Sequence, residues 1–161
     1  THRDHIAFLE EYLDAFPNLV VMVYKESESK IKCDYIKPVK EGDIVTVGQL
    51  SVEVFYTPGH YNDSVCYYLD GVLFTGDTLF IGRTGRTISK GSDIKKLYKS
   101  IYNTILEFPH TTIIYPGHDY GPKMSMTIKE NISISPLLQA EDEDEFIKRM
   151  AEYEANRTIG S

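Results

Sequence analysis

Thiols are scarce in this sequence. Of its 161 residues only Cys33 and Cys66 are cysteines, too few for a disulfide framework and too far apart for a Cys-x-x-Cys metal pair. Both read as free core thiols, which suits a reducing compartment. Long hydrophobic runs are missing as well. The longest, Leu19 to Tyr24, falls far short of the roughly 20 residues that span a bilayer, and the first residues lack the basic-then-apolar order of a signal peptide. The expectation is a soluble, cytoplasmic protein with no membrane partner. Positive charge is also in short supply: 17 Lys and Arg against 24 Asp and Glu leave a formal net charge of −7. The basic residues are scattered, so no stripe exists to follow a phosphate backbone, and nucleic acid is not an expected partner. There is no internal repeat and no low-complexity tract. The acidic run Glu141 to Glu145 reads as the solvated start of a helix.

What is present is ordinary globular material, 42% hydrophobic and 25% charged, in a length that suits a single domain over residues 1–161. Apolar residues at Ile6, Leu9, Leu13 and Phe16 predict a helix over Asp4 to Phe16, closed by Pro17. Leu19 to Tyr24 predicts a buried strand, and the polar segment Lys25 to Lys32 a loop. Short extended pieces follow at Ile44 to Val47, Leu50 to Thr57, Val65 to Leu69 and Val72 to Thr75. The dipeptide Asp70-Gly71 between the last two is the strongest hairpin signal in the chain. Ser92 to Leu106 predicts an amphipathic helix capped by Ser92, and Thr111 to Tyr115 a strand. Met124 to Ile132 and Glu141 to Tyr153 predict two further helices separated by Pro136.

The chemistry lies in the histidines. His2, His5, His60 and His118 sit at turns beside strand-like or helical segments, whereas His110 stands apart. His2-Arg3-Asp4-His5 packs two imidazoles and a carboxylate into four residues. Thr57-Pro58-Gly59-His60 and Tyr115-Pro116-Gly117-His118 repeat one design, a strand followed by Pro-Gly and then His, in which a stiff turn would hold an imidazole at a sheet edge. Thr75-Gly76-Asp77 does the same for a carboxylate. Imidazole and carboxylate donors without thiolates suit Zn(II), Fe(II) or Mn(II), and a bridging Asp77 would let two ions sit close together.

These residues resemble the motifs of the metallo-β-lactamase superfamily: HxHxDH, a later His after Gly, a Gly-Asp turn and a final Gly-His. The resemblance implies an α/β (α+β) fold, a four-layer αββα sandwich. It implies that His2, Asp4 and His5 are the last three ligands of the first motif, and that His60, Asp77 and His118 complete the set. His2, His60 and Asp77 then belong to a first metal site, and Asp4, His5, Asp77 and His118 to a second. The leading His of HxHxDH would precede Thr1, as would several N-terminal strands, so the sequence is expected to be an N-terminally incomplete version of the fold.

Within the superfamily, Phe74 to Ile81, Gly85-Arg86-Thr87 and His118-Asp119-Tyr120 look like the glyoxalase II and persulfide dioxygenase branch. Ile88 stands where many relatives carry Asp, and Met124 to Ser161 is shorter than the glutathione-binding helical domain of glyoxalase II. The resemblance implies hydrolysis of a small thioester or ester, as in hydroxyacylglutathione hydrolase. Two Zn(II) ions would generate hydroxide near neutral pH and Asp4 would orient it. Tyr120, Arg83 and Arg86 are the expected contacts to a small-molecule substrate such as a thiol conjugate, each arginine being equally suited to a structural ion pair. Two other readings stand beside it: a mononuclear Fe(II) oxygenase of the persulfide dioxygenase type, and a non-catalytic remnant. The sequence leaves the oligomeric state open.

Overall fold

The computed structural model describes residues 3–157, with the backbone alone for residues 3, 4 and 157. A 3-10 turn at Arg3–Ile6 leads into helix α1, Leu9–Ala15. Strand β1, Val21–Tyr24, pairs in parallel with β2, Ile36–Val39. The remaining long strands are β3 (Ile44–Val47), β4 (Leu50–Tyr56), β5 (Val65–Leu69) and β6 (Val72–Gly76). A short pair, β7 (Leu79–Phe80) with β8 (Arg83–Thr84), precedes helix α2, Ile94–Tyr102. Strands β9 (Ile113–Pro116) and β10 (Met126–Thr127), then helices α3 (Ile128–Ile134) and α4 (Glu143–Arg157), follow.

Six strands form one sheet in the order β10-β9-β6-β5-β4-β3. Its pairings are antiparallel except for β6 with β9, which run parallel because α2 crosses between them. Alternation along the strands separates two cores. Cys66, Leu73 and Ile114 point to the face covered by Leu97 and Ile101 of α2, Ile128 of α3, and Phe146 and Met150 of α4, all nearly or fully buried. Val45 and Val54 point the other way and pack with Val39 of β2. On that second face β1 and β2 cover only one end of the sheet, and Phe74, Ile113 and Tyr115 remain about two-fifths exposed at the other. Helix, sheet and sheet layers are thus in place among the described residues.

Several expectations shift in detail. The predicted first helix divides into the 3-10 turn and a shorter α1 with no buried residue, since its aromatic positions Phe8, Tyr12 and Phe16 face outward. Lys25–Lys30 is a 3-10 helix rather than a loop. The cap of α2 is Asp93, whose carboxylate accepts the backbone N–H groups of Lys95 and Lys96; Ser92 instead turns its hydroxyl back to the carbonyl of Ser89. Thr127 and Glu130 close a capping box at α3, a few residues later than the apolar pattern suggested. Asp70-Gly71 forms the expected tight hairpin, with φ of 45° and 83°, the double positive angle that a two-residue turn between twisted strands demands.

Candidate metal centre

Three strand ends deliver the donors to one place. The β4 strand stops at Tyr56 and its turn presents His60; β6 ends in Gly76 and presents Asp77; β9 ends in Pro116 and presents His118. Because β6 and β9 are parallel neighbours, with Gly76 opposite Pro116, their following residues emerge side by side at the same sheet edge. The 3-10 turn before α1 brings His5 to that edge from the other side of the chain.

Asp77 is the hub. Its Oδ2 lies 3.0 Å from His5 Nε2 and 3.6 Å from His60 Nε2, and its Oδ1 lies 3.6 Å from His118 Nε2. The donor atoms of His5, Asp77 and His118 all fall within 4.8 Å of one another. Asp77 and His60 are largely buried while His5 and His118 are partly open to solvent, so the cluster has a protected back and an accessible front.

The imidazole of His60 is oriented. Its Nδ1 lies 2.8 Å from the carbonyl oxygen of Arg86; a carbonyl only accepts, so Nδ1 carries the hydrogen and the lone pair of the neutral ring sits on Nε2, facing Asp77. At Gly117 even a methyl group would lie 2.7 Å from Asp77 Oδ1 and 3.3 Å from His5 Cε1. The absence of a side chain there lets the β9 turn come up against the carboxylate. The three donors of His5, Asp77 and His118, with His60 Nε2 facing the same carboxylate at 3.6 Å, are nitrogen and oxygen ligands of a type that fits a divalent metal.

The remaining expected residues divide. His2 and the side chain of Asp4 lie outside the described residues. Tyr120 stacks on His118 at 5.0 Å and 19° between planes, with about half its surface exposed. Arg83 donates from Nη2 to the carbonyl oxygen of Tyr120 at 2.6 Å and holds its guanidinium 5.7 Å from that ring. Both therefore stand at the rim of the cluster. Arg86 turns away, its Nε donating to Glu154 Oε2 of α4 at 3.1 Å. Here the ion-pair reading describes the geometry, and it is the main chain of Arg86 that serves the site. A cavity of about 320 Å³ opens beside the cluster, lined by His5, His60 and Asp77 together with Leu9, Val23 and Asp63. Asp63 was not anticipated; its one sequence signal is a charged residue three places after His60, within the same turn.

The family model of the metallo-beta-lactamase superfamily matches residues 1–118. A hydroxyacylglutathione hydrolase from Francisella tularensis subsp. novicida is 38% identical over 124 residues, covering 74% of this chain and 46% of that protein. A probable hydroxyacylglutathione hydrolase from Schizosaccharomyces pombe is 31% identical over 99% of this chain and 60% of its own length. The chain thus spans about half the length of the curated relatives it matches. Among solved structures, ETHE1 from Myxococcus xanthus superposes with a TM-score of 0.72 at 27% identity, covering 91% of this chain and 76% of the other. No helix among the described residues is long and apolar enough to cross a membrane.

Proposed function

This chain belongs to the metallo-β-lactamase superfamily, and from that premise we propose that it acts as a metal-dependent hydrolase of a small thioester or ester, similar to hydroxyacylglutathione hydrolase. The observation that carries the proposal is the set of three imidazole Nε2 atoms within 3.0 to 3.6 Å of the Asp77 carboxylate. Two zinc ions are the proposed cofactors, one held by His2, His60 and Asp77 and the other by Asp4, His5, Asp77 and His118. Such ions supply a lowered pKa for coordinated water and polarisation of the substrate carbonyl.

The residues of the chain prepare that chemistry. Asp77 serves both sites, and His60 offers Nε2 because the Arg86 carbonyl holds the hydrogen on Nδ1. Asp4 is the proposed residue that orients the attacking water. Tyr120 and Arg83 occupy the rim, where an aromatic ring offers packing surface to a small substrate and a guanidinium suits the charge of an anionic thiol conjugate; Arg86, paired with Glu154, has no place in that contact. A thiolate leaving group needs little protonation, so hydrolysis of a thioester requires no general acid at the cluster.

The test is metal analysis of the full-length natural protein together with a thioester hydrolysis assay. Two zinc ions per chain and hydrolysis support the reading. One iron per chain, with oxygen consumption and no hydrolysis, would replace it by the Fe(II) oxygenase, which uses His60 and Asp77 as well.

A further inference from the structure

The turn that presents His60 is closed at its base by ordinary bonds, Thr57 N to Ser64 O at 3.0 Å and Gly59 N to Tyr61 O at 3.1 Å, while the bonds nearer its tip, Tyr61 N to Ser64 Oγ at 3.3 Å and Ser64 N to Tyr61 O at 3.4 Å, are long. Bonds of that length orient weakly. A separate anchor lies at the end of the turn. Asp63 is buried, and its Oδ2 accepts from the hydroxyl of Ser27 and, at 3.2 Å, from Lys30 Nζ. Lys30 Nζ also lies 3.2 Å from Ser27 Oγ and 5.9 Å from the centre of the Tyr61 ring. Ser27 is fully buried, and both it and Lys30 belong to the 3-10 helix Lys25–Lys30 that leaves β1. One ammonium thus engages the residues on both sides of Asn62, and through them the two ends of the segment just after His60. The carboxylate shares the lining of a single cavity with His60 and Asp77.

A carboxylate taken out of water is tolerated only with its partners in place. No sheet or helix hydrogen bonding requires an acid at position 63, whereas the charge ties the histidine turn to a segment of the opposite layer. We propose that Asp63 is a positioning residue: clamped by Ser27 and Lys30, it fixes the His60 turn so that the imidazole meets both the Arg86 carbonyl and the Asp77 carboxylate. Sharing of the second layer's anchor with the metal cluster rests on the proposed metal site, and the orientation of His60 does not.

Asp63→Asn, Lys30→Gln and Ser27→Ala, made in the full-length natural protein, test this against an exposed control, Lys95→Gln, which breaks the remote pair Lys95–Glu143. Three readouts are taken: thermal melting, zinc affinity by competition with a chelator, and the Nδ1–H signal of His60 by ¹⁵N-resolved NMR in metal-free protein. The expected result is zinc binding weakened about 10- to 100-fold in the first three variants, with the His60 signal shifted or exchange-broadened, that of His118 retained, and the control unchanged. Variants that melt earlier yet keep native zinc affinity and an unaltered His60 signal would reduce the cluster to a structural anchor and overturn the proposal. If Asp63→Asn does not fold, Lys30→Gln and Ser27→Ala decide it. Should the unsubstituted protein bind no metal, the proposed function fails, while the NMR readout still judges the role of Asp63.

Discussion

Asp77 and Gly117 show how narrowly the site depends on single side chains. Asp77→Ala removes the one group that all three imidazoles face, so metal content measured by elemental analysis should fall close to zero and hydrolysis to background. Retention of the full complement of metal would refute the hub role. Gly117→Ala is a subtler probe, because its methyl group would press on Asp77 Oδ1 and His5 Cε1; zinc affinity should drop by about tenfold or more with little change in secondary structure by circular dichroism. Cys66 makes a different prediction. Burial pushes its thiol up to about 12, so in the native state it stays neutral and should resist a thiol reagent at pH 8 that labels Cys33. The raised value also has a stability consequence. The buried neutral thiol contributes fully below about pH 9, and the contribution is lost between about pH 9 and 12, where the unfolded chain ionises and the folded one does not. Chemical unfolding across that range should show the native protein losing stability faster than Cys66→Ala, by at most about 1.4 kcal/mol per pH unit. Tyr56, also pushed to about 12, titrates in both proteins and cancels from the difference.

Among the elements, α2 does more than cover the sheet. Its cap residue Asp93 donates its backbone N–H to the Gly59 carbonyl at 2.8 Å, and Ser100 donates its hydroxyl to the Pro58 carbonyl at 2.6 Å. The helix therefore braces the Pro58-Gly59 step that immediately precedes His60. Asp93→Ala removes the side-chain cap while leaving that backbone bond possible. It should cost about 1 kcal/mol and lower the melting temperature by about 2–4 °C, with metal affinity close to native; a melting temperature equal to the parent would show that the cap carries no weight. The strands, the Asp70-Gly71 hairpin and the helical face of α2 were legible because each follows from a local period or turn rule. The 3-10 helix at Lys25–Lys30 was not. Its sequence is polar and aperiodic, and it takes shape around Asp63, a residue far along the chain.

For the whole molecule, the decisive property is that His5, His60, Asp77 and His118 come from segments spread across most of the chain. A ligand bound by all of them acts as a cross-link between the first turn, two strand-end loops of the central sheet and the β9 turn. Metal at about a thousand times its dissociation constant would stabilise the fold by about 4 kcal/mol, so chelation should lower the melting temperature by on the order of 10 °C. A melting curve indifferent to chelator and to added zinc would contradict a site that joins these segments.

The sequence by itself determined the donor types and the stiff Pro-Gly and Gly-Asp turns that precede them, because those depend on a few adjacent residues. It also determined the alternation that builds the sheet. Which donors meet, and around which carboxylate, was decided by the tertiary structure, since the parallel pairing of β6 with β9 sets Asp77 beside His118 and no local rule specifies that register. The same holds for Arg86, whose chemistry suits a substrate anion and whose position commits it to Glu154, and for Asp63, an unremarkable acid until burial beside Lys30 and Ser27 gives it partners. Local chain stiffness is written in neighbouring residues; convergence is written in packing, which only the folded chain resolves.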